Sequence, residues 1–127
     1  MRNSRAPVFI TGFVLIGAVT VDSLRTYAAS DDGGKESFSQ CAACHSTDGS
    51  AGVGPTLKGI VGRQSASVPG FPYSGAMKRS HLVWTADQLD KYIANPQGAV
   101  PGNAMPYAGM SDAAQRSALI AYLETLK

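Results

Sequence analysis

The sequence predicts a small all-α domain in which about four helices are joined by long loops. Signals for helix starts and ends recur along the chain, whereas strand signals are weak and there is no internal repeat. Residues 49–72 are rich in Gly, Ser and Pro and show neither helical nor alternating periodicity, which predicts a loop. A loop of this length suits a compact domain if it wraps around a component that is not protein.

The first two helices are predicted before residue 81. One begins at a cap supplied by Ser30, Asp31 or Asp32 and runs to about Cys44, with acidic residues at its start that suit the helix dipole. The second is short, one or two turns in the segment YSGAMKRS, residues 73–80.

The third helix is predicted from a capping box. Thr85 and Gln88 have the T-x-x-Q spacing, and the helix must end near Asn95 because Pro96 follows. Residues 98–110 contain several Gly and Pro and are predicted to be a second long loop.

The last helix is predicted to begin at a cap supplied by Ser111. Apolar side chains recur there at the spacing i, i+3, i+4 and i+7, which places them on one helical face. These residues are Leu119, Tyr122, Leu123 and Leu126.

The N-terminal 29 residues have the order of a secretory signal. Two arginines precede the uncharged stretch 8–21, and small residues around Ala28 supply a cleavage site. The apolar stretch is shorter than the roughly 18 residues of a membrane span. Asp22 and Arg25 depart from the usual signal pattern, so an uncleaved N-terminal anchor stays open as the alternative.

Charge limits the classes of partner. The chain carries 11 Lys and Arg residues against 9 Asp and Glu residues, a formal net charge of +2. Residues 1–29 hold the whole of this excess, so residues 30–127 are formally neutral. Nucleic-acid binding calls for a clustered basic surface, and the sequence shows none.

Residues 41–45 read CAACH and contain both cysteines of the chain. A disulfide between Cys41 and Cys44 would close a very short loop and stabilise the fold little. A thioredoxin-like C-x-x-C belongs in a βαβ unit, and a zinc site needs four suitably spaced ligands where the chain has two Cys and two His. C-x-x-C-H is instead the spacing of c-type haem attachment, with two thioethers and His45 directed at the iron. We therefore predict one covalent haem c, which also enlarges a small core.

The second axial ligand of a haem decides whether it carries electrons or binds small molecules. Met105 is favoured because it lies in a loop stiffened by Pro101 and Pro106. The other candidates are more typical of core packing or of a solvated turn; they are Met77, His81 and Met110.

Several motifs occur together in a recognisable order: CAACH, GPTLKGIVGR, PGFPYSGAM, VW, PGNAMPYAG and RSALIAYL. As a set they resemble the class I c-type cytochromes of the small soluble mitochondrial and bacterial type, over nearly all of residues 30–127. The resemblance implies that these residues form a cytochrome c domain, a small all-α shell around one covalent haem. It also implies single-electron transfer between membrane complexes or redox enzymes.

The resemblance also implies roles for individual residues. Pro55 would accept a hydrogen bond from the His45 ring, and Tyr107 would lie beside the exposed haem edge. Donors to the haem propionates would be Arg63, Tyr73 and Trp84. The implied cofactor-binding residues are thus Cys41, Cys44, Pro55, Arg63, Tyr73, Trp84 and Tyr92, and the implied iron ligands are His45 and Met105. The first and last helices would cross at Gly34, Phe38, Leu119 and Tyr122.

We expect a periplasmic, non-enzymatic carrier of single electrons that is a monomer and docks transiently on redox proteins or membrane respiratory complexes. Ala104 stands where many relatives carry a lysine, so the identity of the partner stays open. Three alternatives remain: a haem enzyme or gas-binding protein with a labile sixth ligand, a dedicated subunit of a dehydrogenase or oxidase, and a carrier anchored by residues 8–21 that faces the periplasm.

Overall fold

The structure, a computed structural model, describes residues 31–127, so the predicted signal at residues 1–29 lies outside it. The described part is all-α, as predicted, and its pairing of extended chain is limited to an antiparallel bridge between Gln64 and Val83. Its helices are α1 Asp31–Ala42, α2 Gly75–Ser80, α3 Ala86–Ala94, α4 Pro96–Ala99 and α5 Ala113–Thr125. None of these helices has the length and apolar character that a membrane crossing requires.

The crossing of α1 and α5 is so close that it requires glycine. A Cβ atom at Gly34 would lie 2.5 Å from Tyr122 Cβ and 2.6 Å from the Ala118 carbonyl oxygen. Next to this contact the rings of Phe38 and Tyr122 pack with their centroids 5.5 Å apart. Leu119 is only 1% exposed. The predicted helix crossing is confirmed.

Thr85 caps α3 as predicted, although its own N–H donates to the Val83 carbonyl and not to the Gln88 side chain, and a further short helix follows α3. Thr85 Oγ1 accepts a hydrogen bond from the Gln88 N–H at 3.2 Å. Asn95 ends α3, and its side-chain oxygen accepts from the Gly98 N–H at 2.9 Å, which starts α4. The sequence interpretation missed α4 because it took Pro96 only as a stop, although proline also favours the first position of a helix.

The predicted cap of the last helix is wrong by one residue. Asp112, not Ser111, caps α5, because its carboxylate accepts hydrogen bonds from the N–H groups of Ala114 and Gln115 at 2.8 and 3.0 Å. A carboxylate at this position also interacts favourably with the positive end of the helix dipole, which a serine hydroxyl does not match.

The described part of α1 ends at Ala42, two residues before the predicted end. The chain then turns so that the Cys44 N–H donates to the Cys41 carbonyl at 3.0 Å. The predicted cap Ser30 lies outside the described residues, and the two aspartates after it belong to α1.

The apolar core is built mostly from the helices and the short connections next to them. From residues 43–74, Ile60 alone among the described side chains joins the fully buried apolar cluster. The cluster consists of Ile60, Met77, Trp84, Leu89, Tyr92, Val100, Met110, Leu119, Ile120 and Leu123.

Candidate haem site

His45 is fixed by the loop that faces it. Its Nδ1 lies 2.7 Å from the Pro55 carbonyl oxygen, the contact that the resemblance implied. Because a carbonyl only accepts, Nδ1 carries the proton and Nε2 keeps its lone pair for a metal. A Cβ atom at Gly54 would lie 2.7 Å from Nδ1 and 2.9 Å from Nε2, so a larger residue there would displace the ring.

Cys41 and Cys44 are free thiols at the end of α1 and in the turn that follows. Burial and, secondarily, the neighbouring Cys44 raise the pKa of Cys41. A raised pKa keeps the thiol protonated at neutral pH, whereas a C-x-x-C redox pair depends on a stabilised thiolate. Cys41 therefore does not have the environment of the reactive thiol of a dithiol switch.

Met105 lies in a loop that is organised by a buried asparagine. Asn103 donates from Nδ2 to the carbonyls of Pro96 and Val100 at 2.9 and 3.0 Å, and its Oδ1 accepts from the Met105 N–H at 2.9 Å. Asn103 is 7% exposed, so these bonds are made away from water. The sequence interpretation missed Asn103, although an Asn within a Gly- and Pro-rich loop commonly bonds nearby backbone groups.

The other candidate ligands occupy different environments. Met77 and Met110 are buried in the apolar cluster, whereas Met105 is half-buried and packs against that cluster from outside. His81 is exposed and forms the left-handed C-cap of α2, with a φ of 49°. Met105 is thus the candidate on a surface-facing loop next to the core.

The loop of Met105 lies beside the C-terminal end of α1. The Tyr107 hydroxyl donates to the side-chain oxygen of Gln40 at 3.1 Å, across 67 positions of sequence. Burial and the nearby Cys41 raise the pKa of Tyr107. The structure therefore brings the segment of Met105 next to the CAACH segment, through a contact with Gln40 that the sequence did not suggest.

Arg63 and Tyr73 lie close together on another side of the site. The Arg63 guanidinium donates to the carbonyls of Lys58 and Thr56, each at 2.7 Å. Burial lowers the pKa of Arg63 and the nearby Tyr73 opposes that change, but a guanidinium stays charged at neutral pH. No carboxylate within residues 31–127 forms a salt bridge with it, so its charge is available to an anionic group.

Trp84 and Tyr92 form a buried aromatic pair. Their ring centroids are 4.9 Å apart, and burial raises the pKa of Tyr92 to about 12. Backbone hydrogen bonds of 2.9 Å join Trp84 to Gly62 and Arg63, which brings the chain at Trp84 next to the chain at Arg63. Neither the indole N–H nor the Tyr92 hydroxyl bonds another described residue, and neither atom is sealed from solvent. Polar tips of this kind are suited to groups on a cofactor.

The donor set therefore fits a flat apolar cofactor with a metal and anionic arms. Two adjacent thiols can anchor it, a fixed imidazole nitrogen can bind its metal, and a cation with nearby N–H and O–H groups can hold its carboxylates. These are the features expected for haem c.

Comparison with known proteins gives the same result. The chain matches the family model described as "Cytochrome c" over residues 32–127. The protein "Cytochrome c2" of Rhodomicrobium vannielii is 43% identical over 114 residues, which cover 87% of this chain and 91% of that protein. "Cytochrome c-type cyt cy" of Rhodobacter capsulatus is 48% identical over 94 residues, 73% of this chain, but the chain spans only 47% of that protein's length.

A solved structure has the same fold. The cytochrome cH from Methylobacterium extorquens matches with a TM-score of 0.72 and 40% identity, over 75% of this chain and 97% of that chain. The resemblance inferred from the motifs is thus confirmed by the family model, by relatives of known name and by a solved structure. The chain belongs to the cytochrome c family, as a class I c-type cytochrome that takes one covalent haem c and serves as an electron carrier.

Proposed function

We propose that the protein is a periplasmic single-electron carrier in which His45 and Met105 are the axial ligands of haem c. The observation that carries the proposal is that a hydrogen bond restrains each of the two residues, at the ring of His45 and at the backbone of Met105. The Pro55 carbonyl fixes the His45 ring, and Asn103 fixes the backbone of Met105. Restrained ligands change little between oxidation states, which favours rapid electron transfer over ligand exchange.

Cys41 and Cys44 form the two thioether bonds of the cofactor in this proposal. The helical turn that joins them ends in a hydrogen bond from the His45 N–H to the Cys41 carbonyl at 2.9 Å. Attachment and axial ligation therefore come from one short, hydrogen-bonded segment. The bond to Pro55 then selects Nε2 of His45 as the ligand atom.

Met105 would be the second protein ligand of the haem iron in this proposal. When bound, haem iron supplies a one-electron couple, and a thioether ligand raises its potential relative to a second histidine. The hydrogen bonds of Asn103 keep the Met105 backbone in place, so the thioether is held by the loop.

Arg63, Tyr73 and Trp84 would hold the propionates of the haem. The guanidinium already spends two donors on the carbonyls of Thr56 and Lys58, which fixes its plane and leaves further N–H groups for a carboxylate. Buried carboxylates need such donors to remain ionised.

Location and partners follow from the N-terminus and the family. Export of residues 30–127 by the signal at residues 1–29 gives a periplasmic monomer, and docking on redox proteins or membrane complexes is transient. Mass spectrometry of the native protein checks the location: the mass of residues 30–127 plus haem supports release. The mass of the full chain plus haem would show a membrane-anchored carrier instead.

The ligand assignment is tested by replacing Met105. Met105→Ala should lower the midpoint potential and make the ferric protein bind cyanide rapidly, because the sixth position opens. Met110→Leu is the matched control, since it removes a buried thioether from the core and should change neither property. If Met105→Ala leaves both potential and cyanide binding unchanged, Met105 is not the ligand.

A further inference from the structure

Three of the segments that form the candidate haem site, unlike the one that contains Arg63, carry no Asp, Glu, Lys or Arg. Residues 37–47, 49–57 and 92–111 contain no Asp, Glu, Lys or Arg. The third segment is the longest of them and contains Met105. The charges that border the three segments are Glu36, Asp48, Lys58, Lys91 and Asp112.

These three segments adjoin one another in space. The Tyr107 hydroxyl reaches Gln40, which joins the loop of Met105 to the end of α1. The Gly54 N–H donates to the Cys44 carbonyl at 2.8 Å, which joins residues 49–57, the second segment, to the same turn. A Cβ atom at Gly52 would lie 2.9 Å from that carbonyl, so this contact is close.

Most of the outward-facing residues of these segments are glycine or small apolar residues, and the polar ones among them are uncharged. Val53 is 81% exposed, the largest exposure among the large hydrophobic residues that the structure describes. We name as the uncharged surface the exposed residues Gln40, Ala42, Ala43, Gly52, Val53, Ala104, Pro106 and Ala108. It surrounds the segments that hold Cys41, Cys44 and Met105.

We propose that the uncharged surface docks a one-electron redox protein whose own docking face is uncharged and apolar. This rests on the proposed carrier function, because an electron moves quickly only over a short distance and the partner must therefore approach these segments. An acidic partner would have to desolvate its carboxylates against Ala, Val and Pro without a cation to pair them. An apolar partner face instead gains from removing Val53 and its neighbours from water.

The ionic-strength dependence of electron transfer distinguishes the two kinds of partner. The probe is the washed membrane fraction of the source cells, which oxidises the reduced holoprotein. We expect the rate to change by less than about twofold between about 10 mM and about 500 mM NaCl, since the uncharged surface itself offers the partner no charge whose attraction salt could screen. A fall of about tenfold or more over that range would show docking by ion pairs and overturn the proposal.

Charge insertion locates the docking surface. Val53→Glu and Ala108→Glu should each lower the rate with membranes by about tenfold, because the new carboxylate must be desolvated on docking. Ser117→Glu adds the same charge on an exposed position of α5 and should change the rate by less than about twofold. Equal effects of the three variants would overturn the proposal.

Two further measurements exclude other occupants of the surface. Sedimentation with protein-free vesicles made from the extracted membrane lipids should leave the holoprotein in solution; binding would point to lipid and refute a protein partner. Sedimentation velocity should show a monomer, and a dimer that Val53→Glu disrupts would also refute it. Ascorbate and ferricyanide test the carrier function separately, because they act without docking, and a holoprotein that neither reagent converts would fail as a carrier.

Discussion

The helical half and the loop half of this protein are held together in different ways. The helical half consists of α1, α3 and α5, and the loop half consists of residues 43–74 and 100–112. In the helical half, Leu119 and Leu123 are 1% and 3% exposed, and α1 packs across α5 at a contact that requires Gly34. This half is an ordinary apolar core made by the protein itself.

The loop half depends on single polar side chains that bond the backbone. Arg63 holds two carbonyls, Asn103 holds two carbonyls and one N–H, and the Ser65 hydroxyl accepts from the Leu82 N–H at 3.0 Å. Within the part of the chain that the structure describes, no other side chain makes the hydrogen bonds that each of these residues makes to the backbone. A substitution in the helical half should therefore lower stability throughout, whereas one in the loop half should change the site itself.

The largest effect is expected in the helical half. Leu119→Ala truncates a side chain that is 1% exposed and leaves a cavity in the core. The cavity and the lost apolar contacts should lower the free energy of unfolding by about 3 kcal/mol. Urea unfolding of the holoprotein measures the loss. Below the transition, the visible spectrum and the rate of cyanide binding should match those of the wild type.

Ser117→Ala is the control for this variant, because it lies exposed on the same helix and should cost less than about 0.5 kcal/mol. Fast cyanide binding by folded Leu119→Ala would contradict the separation of the two halves.

The next effect is expected at Asn103 and should be local as well as global. Asn103→Ala leaves the Met105 N–H without its partner and removes the side-chain hydrogen bond to each of the Pro96 and Val100 carbonyls, which keep their backbone bonds; the loss costs about 2 kcal/mol. Because Met105 loses its restraint, ferric Asn103→Ala should bind cyanide faster than ferric Leu119→Ala does. This should hold although Asn103→Ala is the more stable of the two variants. Stopped-flow absorbance measures that rate.

An exposed asparagine provides the matched control. Asn95→Ala removes the cap of α4, at a cost of about 1 kcal/mol, without touching the Met105 N–H. Cyanide binding should stay at the wild-type rate. Equal acceleration in both variants would mean that general loosening, and not the bond to Met105, controls access.

The sequence predicted the helical half better than the loop half, for a physical reason. Thr85 with Gln88 and the face of Leu119 and Leu123 are local patterns, and local spacing determines how a helix begins and what it buries. Ser111 and Asp112 are neighbours, and both residue types are favoured as helix caps, so single-residue preferences could not choose between them. Asp112 is the cap because its carboxylate bonds the first turn of α5 and suits the helix dipole.

The candidate site was predicted where chemistry requires a fixed spacing and missed where contacts are distant in sequence. The spacing of CAACH and the prolines around Met105 are visible in the chain itself. The bonds of Asn103 and the contact between Gln40 and Tyr107 depend on how loops fold back, and no periodicity records that. The roles assigned to the haem-contacting residues stay predictions.

A smaller effect is expected from pH, at Tyr92 of α3, which is buried against Trp84. Burial raises the pKa of Tyr92 from 10.0 to about 12, so the folded protein keeps a proton that the unfolded chain loses. The contribution of the Tyr92 proton to the free energy of unfolding is therefore fully present below pH 10 and is lost as the pH rises toward 12. Between pH 9 and pH 11 this loss amounts to about 1 kcal/mol.

Tyr92→Phe has no such proton and supplies the reference for this prediction. The difference in unfolding free energy between the two proteins should shift by about 1 kcal/mol from pH 9 to pH 11, in favour of the variant. Urea titrations at the two pH values measure it. A constant difference would mean that the Tyr92 hydroxyl is as well solvated in the folded protein as in the unfolded chain.

The smallest effect is expected where the two halves meet. The bond from the Tyr107 hydroxyl to Gln40 joins the loop half to α1, but it lies at the surface, where water replaces it at little cost. Tyr107→Phe and Gln40→Ala should each cost about 0.5 kcal/mol, and a double-mutant cycle should give a coupling energy no larger than that. A coupling well above about 1 kcal/mol would show that the halves depend on each other at this edge. A weak coupling would mean that the loop half does not depend on its bond to α1 at this edge. The ligands would then be kept in place from within the loop half, by Asn103 and by the contact of His45 with Pro55.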